Sequence, residues 1–444
     1  MIQRSLLAAR TRLKEMAQYS PALRTVRAAL LAAKSRAASS PAARFDLLCR
    51  AYTDAGHAPL QRWLAAAIRR LSDNFSSEDL DWRKGPSRSI YEKWLSGEPV
   101  VSRTVVLKAP GPGGEKGVIL STFEYNWLRF LRDPDTFREL SRQYHFIFST
   151  SWSPTDYGLL ARALKLDPDA TFFVQSCSYE EIPKIQNFDP RLRCLETLPC
   201  DWLNPDLVSP RPHAERDIDL VMVSNWAPFK RHWALFNALR DLPENLRVVC
   251  IGQPDSSRTL ADIQKLQKDL GAPQKIEYLQ SIPIAEVSAL QARAKVAIIL
   301  SLWEGCCVAA AEGLMAGASL VMCRDAHVGP RSYIGDKTGT LLSRKPRAAE
   351  IAGALERSAK QDPRAFAANR LSCHTSRQSL NKLLKEHDAR AGRPWTQDLA
   401  AVCWKPHPKL ISEEDRARLL PCYQDLYQRW PEVFGPDLID QSWR

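Results

Sequence analysis

From Asp217 to Ala359 the sequence alternates short apolar runs with amphipathic ones, and this alternation limits the possible folds more than any other feature of the chain. IDLVMVS (218–224), RVVCIG (247–252), KIEYLQ (275–280), VAIILSLW (296–303) and SLVMCR (319–324) read as strands. Between them, KRHWALFNALRDL (230–242), SSRTLADIQKLQKDLG (256–271), IAEVSALQARA (284–294) and VAAAEGLMAG (308–317) place apolar residues at helical spacing, and RAAEIAGALERSA (347–359) forms a final helix. Strands joined through helices run parallel, and their near-continuous apolar character says that both sheet faces are covered. The expectation is a Rossmann-like domain over 206–390 with five strands. A fainter version lies upstream. TVVLKA (104–109), a glycine-rich turn GPGGEKG (111–117), GVILSTF (117–123), FIFSTS (146–151) and TFFVQS (171–176) predict a second such domain over 98–205.

The remaining segments read differently. Residues 1–97 form a basic helical region, with Ile2, Leu6, Leu13 and Met16, then Leu23, Val26 and Leu30, at helical spacing. Pro21 and the ASSPAA stretch (38–43) break it into pieces. Residues 391–444, rich in Trp and Pro, read as a tail that packs on the body. The fold class is therefore α/β, with two Rossmann-like domains facing a cleft and an N-terminal helical extension. In such sheets ligands sit at the carboxyl ends of the strands, where loops meet helix N-termini.

Charge and cysteine content bound the setting. Formal net charge is +12, and residues 1–44 hold nine Lys or Arg against the single acid Glu15. Such asymmetry implies a polyanionic neighbour. A basic amphipathic arm suits an anionic membrane surface; a nucleic-acid partner is not expected, because neither interleaved aromatics nor a reader motif accompanies the charge. No run approaches the roughly 18 apolar residues of a membrane span. The longest candidate, Ala294 to Met322, carries Lys295, Glu304 and Glu312. The 11 cysteines form no C-x-x-C pair, and MIQRSLLAAR has no secretory apolar core, so the expectation is a cytoplasmic protein with free thiols, peripheral on the inner face of a membrane.

Two segments carry residues suited to chemistry. SNWAPFKRH (224–232) joins a strand to a helix and offers Ser224, Asn225, Lys230 and Arg231. Two cations in a first helical turn oppose the helix dipole, and an anion such as a phosphate relieves the mismatch; two solvated side chains are the plainer alternative. In LWEGCCVAAAEGLMAG (302–317), Glu304 ends an apolar strand and Gly305 permits a tight turn. Cys306 and Cys307 lead into a helix whose first N–H groups can meet a phosphate. Glu312 lies among small residues of that helix, where a carboxylate either faces solvent or accepts from paired hydroxyls.

The pattern S-x-W-E-G-x(6)-E-G-L-x-A-G at 301–317 resembles the E-x7-E region of the group 1 retaining glycosyltransferases of the GT-B type, and 221–231 is similar to the family's G-R-x-x-x-x-K-G stretch. The resemblance implies that Glu312 binds the ribose of a nucleotide-sugar donor, that Glu304 contacts the transferred sugar as the catalytic carboxylate, and that Lys230 holds the pyrophosphate. It implies a glycan or lipid-linked acceptor, retention of anomeric configuration, and neither metal nor other cofactor. G-T-L at 339–341 matches the family's late glycine. Asn225 stands where the family has arginine, with Arg231 as a substitute charge, and Cys306-Cys307 replace an aromatic-glycine pair. STSWSPTD (149–156) holds no counterpart of the family's histidine, and His145 precedes that strand's apolar run. Glu124, Tyr125 and Asn126 are candidates for the acceptor lining. The D-x-D triplets at 133–135, 167–169 and 217–219 read as turn acids. Two rival readings share this architecture: a nucleotide-sugar 2-epimerase, and a non-catalytic binding protein on a decayed transferase fold.

Overall fold

The computed structural model of the protein describes residues 19–96, 104–404 and 408–434. The described residues form two compact units. One holds 200–376 with Trp404; the other holds 19–199, 377–403 and 408–434.

Pro21 and Pro41, which interrupt the helical pattern in the sequence, start helices in the structure. Each stands in a first turn, where the missing N–H has no intrahelical partner to lose. Ser20 and Ser40 cap α1 (Pro21–Arg36) and α2 (Pro41–Asp54) through their side chains. Helices α3 (Ala58–Asn74) and α4 (Arg88–Ser96) follow. The stripe of Leu23, Val26 and Leu30 does not face the core: these side chains are 46%, 55% and 66% exposed. Helix α1 packs instead through Ala28, Ala32 and Ser35. Small residues let two helices approach closely, and Arg24 and Arg27 pair with Asp54 at the end of α2.

The first sheet takes its strands in chain order: β1 (Thr104–Lys108), β2 (Gly117–Thr122), β3 (Tyr144–Ser149), β4 (Phe172–Gln175) and β5 (Leu192–Cys194). The β1–β2 pair is antiparallel and the others are parallel. The exception follows from the glycine-rich turn, in which Gly113 and Gly114 take φ of 68° and 80° and reverse the chain directly. Helices α5 (Glu124–Leu131), α6 (Pro134–Gln143), α7 (Tyr157–Leu166) and α8 (Ile182–Phe188) make the connections. At three residues, β5 is too short to show a period in the sequence.

The second sheet has six strands, one more than expected: β6 (Ile218–Val223), β7 (Val248–Gly252), β8 (Glu277–Gln280), β9 (Ala294–Ile299), β10 (Ser319–Cys323) and β11 (Gly339–Leu342). All pairings are parallel, in the order β11-β10-β9-β6-β7-β8. This is the doubly wound Rossmann order, with its reversal between β6 and β9. Helices α9 (His232–Leu239), α10 (Leu260–Leu270), α11 (Ile284–Arg293), α12 (Val308–Met315), α13 (Ala348–Ser358) and α14 (Pro363–Arg370) complete the unit. Val221, Val249, Ile251, Val287, Leu290 and Ala297 belong to a shared core between the sheet and α11. The expected stop of α10 is present, with Gly271 in the left-handed region at φ 75°.

After α15 (Cys373–Arg390), the chain continues through β12 (Val402–Trp404), β13 (Pro408–Leu410) and α16 (Glu413–Arg429). Tyr423 of α16 is fully buried, and its hydroxyl accepts from the Val106 N–H of β1 at 2.7 Å. Tyr423→Phe leaves that N–H without its partner. The expected cost is about 1–3 kcal/mol, read by chemical denaturation; an unchanged midpoint would show that the hydroxyl contributes nothing to holding α16.

The three acid triplets have local structural work. Asp133 caps α6, and Asp167 accepts from the N–H groups of Asp169 and Ala170. Asp217 pairs with Arg293 and Arg247, which hold its carboxyl far below the usual range, and Asp219 pairs with Lys295 at 2.8 Å. His145 stands at the amino end of β3, with Nε2 2.8 Å from Asp388 Oδ1 of α15.

Candidate functional site

The reversal of strand order in the second sheet leaves a crevice at the carboxyl ends of β6 and β9, because their helices depart to opposite faces. The segment after β6 carries Ser224, Asn225 and Lys230; the segment after β9 carries Glu304 and Cys307 and leads to Glu312 on α12. These six side chains line one cavity of about 520 Å3. Gly252 at the end of β7 and Gln253 after it, Ser281 and Ile282 after β8, and Ile284 and Val287 of α11 also line it. No sequence motif singles out this second group. The rule of strand carboxyl ends points to the right loops, but their residues are ordinary, and only the strand order shows which of them converge.

The charged centre pairs the half-buried Lys230 with the buried Glu304. Lys230 Nζ donates to Glu304 Oε2 at 2.6 Å, and Ser301 Oγ donates to the other oxygen of the same carboxylate. Glu304 is 4% exposed. An ammonium has three donors, so Lys230 keeps two for another acceptor while it holds Glu304. Ser224 Oγ lies 3.3 Å from Nε2 of His232, a fully buried ring whose pKa burial lowers to about 3, with help from Arg258 and Lys230. His232 is therefore neutral and acts as a fixed hydrogen-bonding support for the loop. The Cys307 thiol is pushed well up, by burial first and by the Glu304 charge second, so it stays protonated at neutral pH.

Backbone geometry singles out the same place. Among the described residues, four non-glycine positions have positive φ: Phe123, Arg231, Ser281 and Cys307. Ser281 and Cys307 line the cavity, and Arg231 follows Lys230. Strained residues of this kind persist where the surroundings hold them, and they gather at ligand sites. Gly252 has a different reason: a Cβ there would stand 2.3 Å from the Ser224 carbonyl oxygen and strike Trp226.

Three residues of the expected donor set do not line the cavity. Lys230 and Arg231 do not share a first helical turn. Pro228–Lys230 form a 3-10 turn, Arg231 is left-handed, and α9 begins at His232. That step turns Arg231 inward. It is 1% exposed, and its guanidinium donates to the carbonyls of Leu300 at 3.0 Å and Arg344 at 2.8 Å. Arg231 braces the loops, so the positive charge in the cavity wall is that of Lys230. Gly305 is buried in the turn after Glu304, and Cys306 lies outside the lining that Cys307 enters. The late glycine, Gly339, is a packing residue: a Cβ there would stand 1.9 Å from the Leu320 carbonyl oxygen of β10.

Residues 206–370 match the family model described as glycosyl transferases group 1. No curated protein matches the chain in sequence. Among solved structures, the chain is similar to a sucrose-phosphate synthase from Thermosynechococcus elongatus (15% identity, 62% of this chain and 74% of that one, TM-score 0.47). It is similar also to the Anabaena protein HepE solved with UDP (14% identity, 60% and 78%, TM-score 0.48). A third is the lipopolysaccharide outer core galactosyltransferase WaaB in its apo form (15% identity, 62% and 76%, TM-score 0.46). The matched segment is the six-stranded unit that brings Lys230, Glu304 and Glu312 to one cavity, and the likeness to group 1 glycosyl transferases rests on that segment.

Proposed function

We propose that this protein moves a sugar from a nucleotide-sugar donor, held in the six-stranded unit, to a glycan or lipid-linked acceptor, with retention and without a metal, in the synthesis of a polysaccharide or cell-envelope glycan. The observation that carries the reading is the convergence of Lys230, Glu304 and Glu312 on one cavity at the strand-order reversal. Departure of the sugar puts negative charge on the diphosphate and positive charge on the ring. Lys230, with the first N–H groups of α12, is suited to the diphosphate. Glu304 is suited to the hydroxyls of the transferred sugar, and half-buried Glu312 to the ribose hydroxyls.

The test is a titration of purified protein with UDP-, GDP- and ADP-sugars. One of them should bind, and Lys230→Ala and Glu312→Ala should each weaken it by roughly tenfold to a hundredfold, the equivalent of a charge-assisted contact of about 1.5–3 kcal/mol. Unchanged affinity in two folded variants removes the assignment.

The same reading places the enzyme on the cytoplasmic face of a membrane through the basic residues of 1–44, of which 1–18 lie outside the described residues. Two observations support it. All 11 cysteines are free, as suits a reducing compartment, and α1 presents its apolar stripe outward beside basic side chains. Full-length protein should float with anionic vesicles in low salt. Leu23→Glu with Leu30→Glu, two exposed changes, should reduce that binding at least tenfold; equal flotation would overturn the membrane assignment.

A further inference from the structure

The unit that the family match does not cover has a cavity of its own, of about 530 Å3. It lies between helices α1, α2 and α4 and the chain beyond the carboxyl ends of β2 and β3. Its volume falls in the range of small-molecule sites, about 300–1,000 Å3.

Its walls change character from floor to rim. The floor is polar. Asp46 accepts from Ser87 N at 2.6 Å and from Ser87 Oγ at 2.9 Å. Glu124 is 6% exposed and accepts from Ser151 N at 3.2 Å and from its hydroxyl. Asp156 accepts from Tyr91 Oη at 3.0 Å. A carboxylate has about four lone-pair positions, so Asp46 and Glu124 can each accept further O–H donors, while Asp156 already accepts from Tyr91 and from the N–H groups of Gly158 and Leu159. Burial raises Glu124 to about 7, which lets it also donate when protonated. The rim is apolar and aromatic: Leu31, Ile90, Trp94 and Trp152, with Ile90 47% and Trp152 39% exposed. Arg27 and Arg50 also stand in the lining, and Arg50 is exposed.

The rim continues onto α1. Arg27 and Leu31 lie four residues after Leu23 and Arg27 respectively, so on the helix surface they adjoin the outward stripe of Leu23, Val26 and Leu30. Arg27 and Lys34 flank that stripe. An apolar strip edged with basic residues is complementary to an anionic lipid surface. A polar floor rich in acceptors, an aromatic rim and an apolar strip leading away from it fit a ligand with a hydroxyl-bearing head and an apolar chain.

We propose that this cavity binds the carbohydrate end of an amphiphile, whose apolar chain leaves across Leu31, Ile90, Trp94 and Trp152 toward the exposed face of α1 and the lipid surface. That this amphiphile is the sugar acceptor rests on the transferase reading; the binding does not.

The experiment uses the full chain and the n-octyl glycosides of glucose, galactose and N-acetylglucosamine, each below its micelle concentration, followed by calorimetry. Methyl glycosides and octyl tri(ethylene glycol) serve as the head-only and chain-only probes. At least one octyl glycoside should bind at one site per chain, tenfold or more tighter than either control. Trp152→Ala and Ile90→Asp, both at exposed positions, should each weaken it at least fivefold. The proposal is overturned if no octyl glycoside exceeds the chain-only probe, or if both variants bind like the parent. A methyl glycoside that binds as tightly as its octyl counterpart overturns the amphiphile. UDP-sugar titrations on the same samples report the donor site separately, so loss of one reading is distinguishable from loss of the other.

Discussion

Glu304→Gln is expected to lower turnover by on the order of 10²–10³-fold while nucleotide-sugar affinity stays within about tenfold of the parent, or improves. The side chain is buried between the Lys230 ammonium and the Ser301 hydroxyl, and glutamine preserves its shape. What disappears is one negative charge. In the ground state that loss leaves Lys230 less compensated, which favours the donor diphosphate. With Glu304 placed beside the transferred sugar as proposed, positive charge on the ring loses a facing carboxylate in the transition state, so the effect falls on kcat. Single-turnover transfer together with donor titration separates the two quantities. Normal turnover in a folded Glu304→Gln protein would falsify the catalytic role.

The largest structural effect is expected at Gly339. Leu320 and Gly339 are register partners in the β10–β11 pair, and a methyl group on Gly339 would sit 1.9 Å from the Leu320 oxygen and 2.8 Å from its carbonyl carbon. Backbone cannot rotate away as a side chain can, so the two strands must separate. Gly339→Ala should therefore cost about 3 kcal/mol or more, at the upper end of overpacking. In a unit of this size that corresponds to a fall in melting temperature of roughly 6–12 °C. Gly335→Ala is the control. Its nearest neighbour is the Thr338 hydroxyl at 4.0 Å, and it should stay within about 0.5 kcal/mol of the parent. Equal melting of the two variants would show that β11 accommodates a side chain at its first residue.

The two predictions differ in how far the sequence anticipates them. The place of Glu304 after an apolar strand and before a helix is legible in sequence because it is a local pattern, and the role proposed for it comes from the motif resemblance. The part played by Gly339 is not legible there, because the Leu320 carbonyl that excludes a side chain lies 19 residues away and becomes its neighbour only when β10 and β11 pair. Arg231 shows the same limit. Sequence places it beside Lys230 with the same charge, yet one left-handed residue sends the two side chains to different environments. The outward face of α1 is a third case: spacing shows that Leu23, Val26 and Leu30 share a side, and nothing in the spacing says which side packs.

Periodicity along the chain thus determined the α/β class and the alternation of strands and helices from Asp217 onward, since each depends on neighbours within a few residues, while Lys230, Glu304 and Glu312 were singled out by the motif resemblance. Tertiary structure alone decided the strand order and the sixth strand. It decided the clustering of 377–403 and 408–434 with the first sheet, the bracing role of Arg231 and the existence of the second cavity. Those depend on pairings between segments tens to hundreds of residues apart, such as Tyr423 on Val106, whose energies come from burial and direction and leave no repeat in the sequence to read.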